Sequence, residues 1–150
     1  MNSKNKLRSK IIISAFLLAI LDLITKYYIF QTFRHSSFFF IGESIGLQYS
    51  ENTGIAFGLP IPFPLIIALN ILLFGLIFWM FEREFQLKKW PARWGMTLIV
   101  AGGLGNLIDR IYNGFVIDFI AFWSYPRFNL ADIYISAGVL LIILFYGKIK

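Results

Sequence analysis

The chain has 150 residues, a formal net charge of +6 and 58% hydrophobic residues, with only 15% charged, against roughly 25% in an ordinary soluble domain. Eight acidic and fourteen basic side chains cannot clothe the surface of a soluble domain of this length, and the mean hydropathy of +0.71 agrees. Disorder, collagen-like repeats and a typical cytosolic enzyme are excluded, and an integral membrane protein remains.

In chain order, four apolar stretches are visible, at about residues 11–30, 62–81, 94–112 and 129–147. Each has roughly the 20 residues that a helix needs to cross a ~30 Å hydrocarbon core. In lipid the backbone must satisfy its own hydrogen bonds, so continuous runs of this kind predict helices, whereas a β-barrel would show short alternating segments. The expected fold is therefore an all-α membrane protein of one domain with four transmembrane helices.

The basic residues set the topology. Lys4, Lys6, Arg8 and Lys10 precede the first run. Arg83, Lys88, Lys89 and Arg93 fall in one short connection, and Lys148 and Lys150 close the chain. This is the positive-inside pattern, with both termini and the Glu82–Arg93 loop cytoplasmic. The sequence pI of about 9.7 is thereby explained without a nucleic-acid partner. The first run is long, contains Asp22 and Lys26, and lacks a small-residue cleavage site, so it is expected to be a retained helix and not a cleaved leader.

Two outer loops follow from this topology. Gln31–Ile61 contains Phe38-Phe39-Phe40, Gly42 and the alternating Leu47-Gln48-Tyr49-Ser50, the pattern of a small sheet or hairpin. Asn113–Phe128 carries Asp118 among Val116, Ile117, Phe119 and Ile120. Glu43, Glu51, Glu82 and Glu84 are expected in loops.

Polar residues that a membrane chain should avoid are the informative ones, since an ionisable group within the bilayer costs about 2.5–3.5 kcal/mol even on lenient scales. The four Asp, namely Asp22, Asp109, Asp118 and Asp132, all map to the outer half or edge of the bundle. Asp22 and Lys26 are four apart on one helix and can pair. Asn106, Asp109 and Arg110 in the run Gly102–Arg110 share a helix face, and the three glycines of that run permit close helix approach. Arg110 can pair with Asp109 or hold a group on a ligand. Asn129 can cap the fourth helix, which places Asp132 in its first turn. Thirteen residues separate Asp118 from Asp132, enough for a re-entrant loop to bring the two together.

The chemistry available to such residues is narrow. Cys is absent and His35 is the single histidine, so thiol catalysis and a histidine-rich metal site are excluded, and neither a zinc-protease nor a Walker motif occurs. No metal and no cofactor is expected. Two neighbouring carboxylates can share one proton, one serving as base to a water. The alternative is a small ion or proton carrier that uses the Asp cluster.

The motifs Asp22-Leu23-Ile24-Thr25-Lys26, Asn52-Thr53-Gly54-Ile55-Ala56-Phe57, GGLGNLIDR at 102–110, Val116-Ile117-Asp118-Phe119 and Phe128-Asn129-Leu130-Ala131-Asp132 cover nearly the whole chain. Together they resemble signal peptidase II, the bacterial prolipoprotein signal peptidase, an intramembrane aspartic protease family. The resemblance implies four transmembrane helices with a small β-rich cradle and a short helical element in the outer loops. It implies removal of a lipoprotein signal peptide before a diacylglyceryl-modified Cys, in the bacterial cytoplasmic (inner) membrane. Asp118 and Asp132 match the catalytic pair. Asn52, Gly54, Asn106, Asp109, Arg110 and Asn129 match residues that line or brace the site, and Asp22 and Lys26 match a structural polar pair. The implied partners are the lipid-modified prolipoprotein, membrane lipids and cyclic peptide antibiotics as inhibitors, the protein itself being a monomer. One departure is Ile133, where many members carry a small or polar residue.

Overall fold

The computed structural model describes residues 3–42, 44–54, 61–83, 85–123 and 126–150. Four helices dominate it: α1 (Ser3–Phe33), α2 (Phe63–Arg83), α3 (Trp90–Asn113) and α4 (Leu130–Ile149). Between α1 and α2 lie β1 (Ser37–Ile41) and β2 (Ile45–Asn52), and between α3 and α4 lie β3 (Val116–Phe122) and β4 (Arg127–Phe128). The expected β-rich cradle is thus a single antiparallel sheet, ordered β1-β2-β3-β4, assembled from both connections.

The helices outrun the apolar stretches that announced them. α1 begins within the basic segment, and Arg93 lies in the first turn of α3, not in a loop. Lys and Arg are good helix formers, so hydropathy marks only the apolar part of each helix. Pro91 sits in the first turn of α3, where its missing N–H costs nothing, and Gly114 ends that helix at φ +80°. Glu51 belongs to β2 and Glu82 to the last turn of α2, so neither is in a loop, while Glu43 and Glu84 lie outside the described residues. The described parts of both connections form strands and turns; the short helical element implied by the resemblance is not among them.

α2 and α4 are long and apolar enough to cross a bilayer, by length and composition. α1 and α3 are at least as long but bury charge. α3 is the hub: it packs along α4 and α1, and α2 rests chiefly against α3. At the end that holds both termini, an apolar core gathers Ile11, Phe81, Phe85, Ala92, Ile99 and Ile149. Arg8 pairs there with Glu82, and Gln86 N–H donates to the Ile149 carbonyl at 2.7 Å, which ties α1, α2 and α4 together. The opposite end, under the sheet, holds the buried side chains of Asp22, Lys26, Asn106, Asp109, Asp118 and Asn129.

The glycines of α3 explain that division. A Cβ at Gly102 would run into the Ala131 carbonyl at the start of α4, and one at Gly105 into the Asp22 carboxylate of α1. The two positions lie on one α-helical stripe and let the α4 backbone and the Asp22 side chain of α1 come close to α3 where the polar groups meet.

Candidate active site

Asp22 and Lys26 are buried, at 0% and 1% exposure. They pair at 2.8 Å, as their spacing predicts. The pair has a third member that spacing on one helix could not reveal: Asp109 of α3 lies 3.0 Å from the Lys26 ammonium. One cation thus sits between two carboxylates. The remaining acceptor positions are used locally. Asp22 accepts from the Ala131 N–H at 2.9 Å, and Asp109 accepts from the Ile117 N–H at 3.1 Å and from Asn113 at 3.4 Å. The cluster therefore fastens α1, α3, the start of α4 and the start of β3. Buried ions need this degree of satisfaction, because desolvation otherwise outweighs their attraction.

Asn106 joins this cluster to the neighbouring site. Its carbonyl accepts from Lys26 at 3.0 Å and from Asn129 at 3.2 Å, while its amide donates to Asp132 at 2.8 Å. Lys26 can only donate, so the Asn106 carbonyl must face it, and the amide is thereby aimed at Asp132.

Asn129 is fully buried and does two tasks. It caps α4: its side-chain carbonyl accepts from the Asp132 N–H at 2.9 Å, and Asp132 accepts from the Asn129 N–H at 3.3 Å, a reciprocal capping box. Its amide then donates to Asp118 at 2.7 Å. The expected cap is present, and the same residue touches both carboxylates. Asp118 is 3% exposed and accepts a second bond from Asn52 at 3.0 Å. It sits on β3 opposite Ser50 of β2, so a strand and not a re-entrant loop presents it. Burial, reinforced by the negative charge of Asp132, pushes the Asp118 carboxyl up to about 6 despite those two donors.

The partners of Arg110 bear on one of its two expected roles. Among the described residues it makes no ion pair with Asp109, which belongs to Lys26. Its guanidinium donates to the backbone carbonyls of Gly54 at 3.1 Å and Asn106 at 3.4 Å. Gly54 in turn donates its N–H to the Asn52 side chain at 3.1 Å. Gly54 therefore contributes its backbone to the site. Ile55, Ala56 and Phe57 of the same motif lie outside the described residues.

Asp118, Asp132, Asn52, Asn106 and Arg110 line one cavity of ≈ 730 Å³. Its polar wall is the sheet and the outer turns of α3 and α4, and its apolar wall is Leu73, Phe74 and Ile77 of α2 with Ile99 and Ile135. Asp109 and Asn129 stand behind that surface, as do Asp22 and Lys26. Asn70 of α2, Ser136 of α4 and Arg127 of β4 also line it; isolated polar residues outside any motif, they carried no signal in the sequence. Ile133 is 40% exposed and is not part of the lining.

A half-apolar cavity in a helical, lipid-suited bundle, with two carboxylates held by shared amide donors on its polar wall, defines the class: a membrane protein with a hydrolase-like site. The family model for signal peptidase (SPase) II matches residues 14–147. The chain is 38% identical over 146 residues to a lipoprotein signal peptidase of Thermodesulfovibrio yellowstonii, covering 92% of this chain and 93% of that one. It is 35% identical to a lipoprotein signal peptidase of Actinobacillus succinogenes, covering 83% and 82%. A solved structure described as a bacterial membrane enzyme, determined by the in meso method, superposes with a TM-score of 0.79 at 30% identity, covering 93% of this chain and 88% of that chain. The chain belongs to the signal peptidase II family, a family of membrane proteases that act on lipoproteins.

Proposed function

We propose that this protein is an intramembrane aspartic endopeptidase, a single domain that removes the signal peptide of prolipoproteins by cutting before a diacylglyceryl-modified Cys. The observation that carries this reading is that Asp118 and Asp132 reach one cavity while a single residue, Asn129, bonds to both. A water between the carboxylates would lose a proton to one of them as its oxygen attacks the scissile carbonyl. The other carboxyl, protonated, would donate to the carbonyl oxygen, and the proton taken from water would pass to the departing amine of the Cys. The raised pKa of Asp118 favours a proton on its carboxyl closer to neutral pH than an ordinary carboxylate would hold one. Asn52, Asn106 and Asn129 fix the carboxylates, and Arg110 and Gly54 shape the rim on which the substrate backbone lies. The apolar wall suits the acyl chains and the signal helix.

In this reading all four helices span the bacterial cytoplasmic membrane, both termini are cytoplasmic, the sheet lies at the outer surface and the enzyme acts as a monomer. Cyclic peptide antibiotics would block the same cavity. The test is a gel-shift cleavage assay with a lipidated precursor. Wild type is expected to release the signal peptide, and Asp118→Asn and Asp132→Asn each to lose at least a thousandfold in kcat while inserting normally. Near-normal turnover in either variant would remove that residue from the catalytic pair.

A further inference from the structure

Among the described residues, Arg127 is the one cation of the cavity wall outside every motif that carries the family resemblance. It extends from the two-residue strand β4 and reaches across the sheet to β2, donating to Gln48 at 2.8 Å and to Ser50 at 3.4 Å. A guanidinium has five N–H donors. Two are engaged here, one of them at the long limit, and the inner Nε is buried with no acceptor among the described residues. An unpaired buried donor is costly to leave unmade. Arg110, the other cavity arginine, bonds to two backbone carbonyls of its own protein. Ser50, to which Arg127 reaches, is the β2 partner of Asp118, so the under-bonded guanidinium is anchored one strand away from the reacting carboxylates.

We propose that Arg127 is a substrate-positioning residue that donates to a carbonyl oxygen of the lipidated precursor. The inference rests on the function proposed above. The chemistry excludes a charged partner on the lipid, since a diacylglyceryl group is neutral, and a carbonyl is the acceptor the precursor offers. It has two sources: the lipid esters and the peptide backbone next to the Cys. On arrival the carbonyl replaces the long bond to Ser50 and takes up the spare donors, with Gln48 retained as the anchor. Arg127 acts in binding and not on the reacting atoms, so its removal changes KM and spares kcat.

The experiment is steady-state cleavage of two precursors, one ester-linked and one with an ether-linked dialkylglyceryl group that lacks the lipid carbonyls. Arg127→Gln is expected to raise KM about tenfold on the ester precursor, the worth of one charge-assisted hydrogen bond, with kcat within about twofold and with Arg127→Lys recovering part of the loss. If the lipid ester is the partner, the ether precursor raises the wild-type KM and abolishes the difference between wild type and variant. If the peptide is the partner, the difference persists on the ether precursor. An unchanged KM on both, or a loss confined to kcat, overturns the proposal. Should Arg127→Gln fail to insert, Arg127→Lys and Gln48→Ala decide it, since an unchanged KM in both is equally fatal. A wild type that leaves the precursor uncut overturns the proposed function itself, and this inference with it. A wild type that cuts, beside an Arg127→Gln variant of equal KM, removes only Arg127.

Discussion

Asp118 and Lys26 show how single buried side chains act on the stability of this protein in opposite senses. The Asp118 carboxyl titrates near 6 when folded and near 3.8 otherwise. Between those values the native state holds a proton that the unfolded chain has released, so stability from this group falls as pH rises from about 4 to about 6. Asp118→Asn removes that titration, and its melting temperature in detergent is expected to vary less over this range than that of wild type. An equal slope in both would show that the carboxyl is not perturbed. Lys26 works in the opposite sense: it neutralises two buried carboxylates at once. Lys26→Met leaves Asp22 and Asp109 facing each other in an apolar setting, and a loss of about 3–5 kcal/mol is expected. Urea or thermal unfolding in detergent measures it, and a change under 1 kcal/mol would mean that the cluster is hydrated or already protonated.

At the scale of elements, the contacts of α3 set the site. Gly102→Ala would push a methyl into the Ala131 carbonyl and displace the first turn of α4, where Asp132 sits. The expected outcome is a lower melting temperature together with at least a tenfold loss of kcat/KM. Gly75→Ala on α2 meets nothing within 4 Å and is expected to be neutral or to stabilise by about 0.5–1 kcal/mol through helix propensity. Equal behaviour of the two variants would refute the close-approach explanation. The same elements show what could be read beforehand. Helix periodicity and spacing announced the Asp22–Lys26 pair and the Asn129 cap, because both are local. The second carboxylate on Lys26, the second task of Asn129 and the strand that presents Asp118 are facts of tertiary structure, between residues eleven or more apart, and no local rule encodes them. Arg127 was unreadable for the same reason: its role depends on Gln48 and Ser50 across the sheet.

The whole molecule is polarised, with an apolar core and the Arg8–Glu82 tie at one end and the buried carboxylates at the other. α2, which rests chiefly against α3, closes the remaining side of the cavity with Leu73, Phe74 and Ile77. The absence of Cys makes this arrangement directly testable, since an introduced thiol has no background. Ser136→Cys places a thiol on the cavity lining, whereas Ile143→Cys places it on a residue 65% exposed on the outer face of α4. A bulky maleimide is expected to stop cleavage by the first variant and to leave the second within about twofold. Inhibition of both, or of neither, would contradict the assigned cavity.

The capping box at the start of α4 has a consequence for synthesis. Asn129 and Asp132 hold each other only when the backbone between them has turned into helix, so the carboxylate pair comes into being with the first turn of the last helix. A chain that has reached the end of β3 already carries Asp118 with its bond from Asn52, and Lys26 between Asp22 and Asp109, but not Asn129 and Asp132. Asp118 and Asp132 can therefore share Asn129 only once α4 has begun, whatever the order in which the rest of the fold forms.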